Sequence, residues 1–217
     1  ISDTILKNDN NTISIELKIN EGNQYFFGKI KWIGNNKYSN AELNSILAIN
    51  EGDIYDNTIL QSRLFGSPDG RDVHSQYLDN GYLFAQVTPV EMEVRNDTID
   101  LEIRIYEGRQ ARINKVNVLG NNKTNDHVIM REIRTKPGDL FNRSMIMRSQ
   151  RELATLNYFN PEKLDIDVQP NQNQGTVDLT YIVEEKSTDQ IELQGGYGAN
   201  RIIGTFRNME PGALRQT

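Results

Sequence analysis

The chain has 217 residues, 36% of them apolar, with no cysteine and a formal charge of −6. That acidity argues against a nucleic-acid binder, which needs a basic footprint. The lack of cysteine excludes disulfides and cysteine-ligated metals, and no run of 18 apolar residues offers a membrane-spanning helix.

The start, ISDTILKNDNNT, has neither a basic cluster nor an apolar stretch of signal-peptide type, so a piece of a longer protein is expected. From Thr12, TISIELKIN alternates strictly, with Ile13, Ile15, Leu17 and Ile19 on one face. Period two predicts a half-buried strand, and the polar Asn10-Asn11 before it predicts a hairpin with an upstream strand. KIKWIGNNK from Lys29 returns as KVNVLGNNK from Lys115, an offset of 86. Gly52-Asp53 and Gly138-Asp139 keep that offset. After each GNNK comes a helix signal. Ser39 and Glu42 form a capping box ahead of Leu43, Ile46 and Leu47. In the second copy Thr124 is the expected cap, with Ile129 and Ile133 facing inward.

A second helix is expected from about Asn57, and its counterpart from about Arg143 to Leu156. The copies then diverge: 27 residues separate Asp53 from Asn80, but 18 separate Asp139 from Asn157. The surplus centres on FGSPDGRDV, a predicted loop near residues 65–73. A strand from Leu83 (LFAQVTPVEMEV) and one from Leu164 (LDIDVQPN) each carry a proline, Pro89 and Pro170. Proline cannot donate to a ladder, so both are predicted edge strands. TIDLEIRIY from Thr98 and TVDLTYIVE from Thr176 alternate cleanly and are predicted at the sheet centres. Leu101 then faces the core and Glu102 the solvated side.

The repeating unit is strand, helix, helix, strand, strand. It predicts an α+β fold, a three-stranded sheet covered on one face by two helices. The expected division is a C-terminal hairpin of a preceding unit at 1–22, a complete unit at 23–109 with the insertion, and a second at 110–186. Residues 187–206 and 207–217 follow.

No catalytic, metal or cofactor site is predicted. His74 and His127 fall at unmatched places in the repeat and lack HExxH or zinc-type spacing. There is no GxSxG and no thiol. GNNKT lacks the paired glycines of a phosphate loop, and Gly34 and Gly120 are predicted turn residues. Asp53 and Asp139 are predicted turn or cap residues, and Glu184-Glu185-Lys186 a solvated strand end.

The edge strands are the candidate binding elements, because an unpaired edge is a template for another extended chain. In the first unit Phe84, Gln86, Val87, Thr88, Val90 and Met92 form the candidate surface. In the second, LDIDVQ turns charge outward, and blocking of unwanted pairing is the simpler reading.

The order of GNNK, GD, NGY, the proline-bearing strand and the alternating strand resembles POTRA domains, the periplasmic repeats of the BamA family of outer-membrane assembly proteins. About 200 residues carry the resemblance. VNVLGNNKTNDHVIMREIRTKPGDLFN and VDLTYIVEEK are similar to the repeat nearest the barrel, and STDQIELQGGYG from Ser187 to the start of the first barrel strand. RNMEPGALRQT from Arg207 fits no such strand. The resemblance implies a non-enzymatic region at the periplasmic face of a Gram-negative outer membrane. Its implied partners are unfolded outer-membrane proteins, accessory lipoproteins and its own C-terminal β-barrel. A secretion transporter of the two-partner type is the alternative, and an unrelated binding module or enzyme the second.

Overall fold

A computed structural model describes residues 2–7, 12–18, 23–67, 69–186, 191–198 and 201–208. Contacts divide the chain into two compact units, residues 1–77 with 84–108, and residues 78–83 with 109–217.

In the first unit β1 (Ser2–Lys7) and β2 (Ile13–Lys18) form the expected antiparallel hairpin, Ser2 opposite Lys18. Its facing departs from expectation, because Ile13 and Ile15 are each 65% exposed. A two-stranded ribbon has no second layer of its own to cover one face. Ile19 lies outside the described residues.

The rest of this unit comprises β3 (Phe26–Ile33), α1 (Asn40–Leu47), α2 (Asn57–Phe65), α3 (Val73–Asp79), β4 (Gln86–Arg95) and β5 (Thr98–Tyr106). The sheet order is β3-β5-β4, parallel between β3 and β5 and antiparallel between β4 and β5. The alternating strand is therefore central and the proline-bearing strand is at the edge. Ile99, Leu101, Ile103 and Ile105 are buried against the helices' Leu43, Leu47, Leu60 and Leu64 layer. Each such side chain contributes about 1.5–3 kcal/mol by leaving water.

Ser39 caps α1 through the reciprocal box with Glu42. Asp56 caps α2, accepting from Thr58 and Ile59 N–H. The insertion does more than add a loop: it splits the second helix in two, so three helices cover this sheet. Between α2 and α3 the Asp72 carboxylate, 1% exposed, accepts from Ser75 N–H and Oγ (2.8 Å each) and from Ser67 N–H (3.2 Å). A buried carboxylate needs such partners, and here they start α3.

Glu102 also corrects the sequence reading. It lies opposite the core face yet is only 8% exposed, paired with Arg104 (2.8 Å) and Lys31 (3.8 Å). On a central strand, neighbours from both flanking strands cover a side chain even on the open face.

The second unit comprises β6 (Arg112–Leu119), α4 (Asp126–Glu132), α5 (Arg143–Thr155), a 3₁₀ turn (Pro161–Lys163), β7 (Asp165–Asn171) and β8 (Thr176–Ile182). Its sheet order, β6-β8-β7, repeats the first with the same directions. Val177, Leu179, Tyr181 and Val183 are buried, as are Ile129 and Ile133. Thr124 is not the cap of α4. Asn125 holds that position without a side-chain cap bond, while Thr124 donates its N–H to Glu185 at 2.6 Å. Residues 78–83 complete this unit at the start of α5. Asp79 accepts from Ser144 N–H (2.7 Å), its carbonyl accepts from Asn142 Nδ2, and Gly81 accepts from Ala111 N–H.

β9 (Ile191–Gly198) and β10 (Arg201–Asn208) form an antiparallel hairpin, Ile191 opposite Asn208. Arg207 and Asn208, which the alternation pattern left outside any strand, belong to β10. Residues 187–190 and 209–217 lie outside the described residues.

Candidate functional site

The twice-used GNNK phrase is a strand-end lock. Gly34 and Gly120 take φ of +85° and +95°. A Cβ on Gly34 would stand 2.0 Å from the Ile105 carbonyl oxygen, and one on Gly120 would stand 1.9 Å from that of Val183. The next residues clamp the loop onto the helix start. Asn35 Nδ2 donates to the Tyr38 carbonyl and Asn40 Oδ1, and Asn121 Nδ2 to the Thr124 carbonyl and Asp126 Oδ1. Lys37 N–H donates to Glu107 (2.7 Å) and Lys123 N–H to Glu185 (3.0 Å). Glu185 is thus a loop anchor rather than a merely solvated strand end. Asp53 and Asp139 close turns, accepting from Asn50 N–H (2.7 Å) and Lys136 N–H (2.9 Å). His74 Nε2 lies 3.3 Å from the Ala85 carbonyl, and His127 is exposed.

Apart from His127, these polar groups have structural partners, and among the described residues the proline-bearing strands β4 and β7 each pair on one side only. In the first unit β4 begins at Gln86 rather than Leu83. Phe84 lies before the strand, where Gly81 at φ +88° turns the chain. Val87 is only 7% exposed, so its side chain belongs to the core. Gln86 and Thr88 are exposed, Val90 is half-buried, and Met92 is 55% exposed at a bulge between Glu91 and Glu93. The strand therefore presents Gln86, Thr88, Val90 and Met92, but neither Phe84 nor the Val87 side chain.

Pro89 stands opposite Ile103. In the second unit Pro170 stands opposite Val177, which has the parity of Val183, whose N–H bonds Leu119 of the other edge strand, and Ile103 likewise has the parity of Ile105, whose carbonyl faces Gly34 at the end of β3. Both prolines thus occupy non-hydrogen-bonded pairs, and their missing donors face outward. Beside this edge runs a groove of about 450 Å³, lined by Tyr55, Leu60, Gln61, Pro89, Val90 and Glu91. Alternation pointed to the strand but not to α2, whose side chains form the other wall. Tyr55 Oη donates to Glu91 at 2.6 Å. Burial, reinforced by the bond and charge of Glu91, pushes the tyrosine pKa up to about 12. The bond ties α2's approach at Tyr55 to the edge strand at Glu91.

The POTRA family, described as surface antigen variable number repeat, matches residues 25–108 and 111–186. The chain belongs to the POTRA family. Among curated relatives, the outer membrane protein assembly factor BamA of Nitratidesulfovibrio vulgaris is 29% identical over 187 residues, covering 86% of this chain and 23% of that protein. BamA of Neisseria meningitidis serogroup B is 26% identical over 186 residues, covering 85% and 22%. The chain thus spans less than a quarter of these relatives' length. The fold is that of POTRA3-5 of Haemophilus influenzae BamA, with TM-score 0.64, 22% identity, and coverage of 85% of this chain and 71% of that one. These POTRA repeats are related to outer-membrane assembly factors; the second unit follows the order strand, helix, helix, strand, strand, and the first adds α3 to it.

Proposed function

We propose that this is the periplasmic POTRA region of a BamA-like protein at the outer membrane of a Gram-negative bacterium. It receives unfolded β-barrel proteins as extended segments along the β4 edge, and it docks accessory lipoproteins for their folding and insertion by its own C-terminal β-barrel. It acts by binding and has no catalytic step. The observation that carries this reading is the β4 edge itself: a ten-residue strand paired on one side only, with exposed Thr88 and Met92, beside a groove. Strand addition reads main-chain groups and demands little of sequence, which suits many clients.

Binding is expected to be weak, because a short added strand loses its own freedom. Micromolar to millimolar dissociation corresponds to roughly −8 to −4 kcal/mol. The test is an NMR titration of the 217-residue chain with a peptide from a β-barrel protein. Shifts clustered on Gln86–Arg95 and Tyr55 support the reading. An unmoved edge, with shifts confined to α1 and the solvent side of α2, overturns it.

A further inference from the structure

The C-terminal end of the second sheet differs from its counterpart in the first unit. Aligning TVDLTYIVEEK from Thr176 with TIDLEIRIYEG from Thr98 places Ile182 against Arg104, Glu184 against Tyr106 and Lys186 against Gly108. Glu185 and Glu107 match, and both serve the GNNK loop, Glu185 accepting from Lys123 and Thr124 N–H. The surroundings of that shared anchor are not shared. In the second unit it borders a depression of about 560 Å³, within the size range of small-molecule sites. Lys123 from the loop, Lys163 from the 3₁₀ turn and Lys186 after β8 all line it.

The side chains of this depression have bonding capacity to spare. Among the described residues none of the three ammonium groups has an ion pair, and the Glu184 carboxylate has neither hydrogen bond nor ion pair. The Glu185 carboxylate, by contrast, is committed to the loop. In the first unit Asn36 folds back, donating its N–H (3.2 Å) and Nδ2 (3.3 Å) to the Gly34 carbonyl. Among the described residues Asn122, its counterpart, makes neither bond. Apolar surface lies beside the charges. Ile182 lines the depression at 38% exposure, and Leu119, its partner on β6, is 56% exposed. Three cations, one uncommitted carboxylate and an aliphatic pair suit a ligand that carries a phosphate, an ammonium and a hydrocarbon part. A simple anion would leave Glu184 repelling it.

We propose that this depression binds the phosphoethanolamine headgroup of a phospholipid. Lys123, Lys163 and Lys186 take the phosphate by charge-assisted hydrogen bonds, and Asn122 Nδ2 adds a donor to it. Glu184 takes the ammonium, and Ile182 with Leu119 the glycerol and first acyl carbons. The site holds this end of the second unit at a phospholipid surface. Binding is weak and falls with salt, because the lysines are exposed and their attraction is screened. The site is independent of the β4 reading, which concerns the other unit.

The probe is dihexanoylphosphatidylethanolamine, kept below its micelle concentration and titrated at low salt into the isotope-labelled 217-residue chain. NMR shifts are expected at Asn122, Lys123, Lys163 and Ile182–Lys186, and not at Asn36, Lys37 or Arg104–Gly108 of the first unit. Dihexanoylphosphatidylglycerol keeps the phosphate and chains but lacks the ammonium. It should bind about two- to fivefold more weakly, the scale of one exposed ion pair, and Glu184→Gln should erase that difference. The double variant Lys163→Ala with Lys186→Ala should weaken both lipids about tenfold. Glycerophosphoethanolamine, which has no acyl chains, should bind more weakly than the lipid; equal affinity would assign the site to the free headgroup and overturn the lipid assignment. The proposal is also overturned by an unmoved end of the second unit, by equal shifts at the GNNK ends of both units, by phosphatidylglycerol binding as tightly as phosphatidylethanolamine, or by full binding to the folded double variant. Should a variant unfold, the comparison of the lipids on the unaltered chain still decides. None of these outcomes bears on the β4 edge, which the β-barrel peptide tests.

Discussion

Gly34 and Gly120 carry the phrase that occurs twice in this chain, and each meets a carbonyl at a distance no Cβ tolerates. Gly34→Ala is therefore expected to destabilise the first unit by about 2 kcal/mol or more, combining a left-handed backbone with a backbone clash. Gly52 has φ of +92° but open space around it, so Gly52→Ala should cost only about 1–2 kcal/mol. Urea denaturation of the two variants checks the order. Glu185 supplies a pH dependence. Burial pushes its carboxyl up, but the bonds from Thr124 and Lys123 outweigh this and hold it below the ordinary 4.5. A depressed folded pKa stabilises above the unfolded value, and that stability is lost as pH falls through the folded one. Second-unit stability should thus decline on acidification below about 4.5. Glu185→Gln should reduce that decline, as measured by denaturation at neutral and acid pH.

At the scale of elements, proline marked both edge strands correctly because a missing donor is a property of the residue, whatever surrounds it. Pro89→Ala is expected to supply one outward N–H without touching the β4–β5 ladder. One added hydrogen bond, about 0.5–1.5 kcal/mol, should tighten client-peptide binding roughly two- to tenfold in the NMR titration. Unchanged affinity would mean that the edge is not the binding element. Strand limits and exposure were less legible. Phe84 reads as strand by apolarity but follows the turn at Gly81, and Val87 is consumed by the core. The second helix of the first unit carries continuous helical signals on either side of the insertion. Its division into α2 and α3 depends on Asp72 finding Ser67 and Ser75.

For the molecule as a whole, the two units hold separate cores, and their coupling can be tested by breaking one. Leu101 is 1% exposed on the central strand of the first. Leu101→Asp buries a charge with no partner, at a cost of several kcal/mol, and should unfold that unit. Amide signals of β6 and β8 are expected to persist. The first turn of α5 should exchange faster, because Asp79, which accepts from Ser144, is the last residue of α3. Loss of all signals together would show a single cooperative unit instead.

The presence of a repeated unit, the α+β plan, the central and edge strands, and the core positions Leu101, Ile103, Leu179 and Tyr181 were determined by residue order alone. Periodicity and proline act locally and leave their mark in the chain. The tertiary structure decided what depends on partners distant in sequence: that Glu102 is covered, that Glu185 anchors a loop 62 residues away, and that α2 forms the second wall of the groove beside β4. Each is a matter of which atoms fill a space between elements, and that space exists only once the elements have packed.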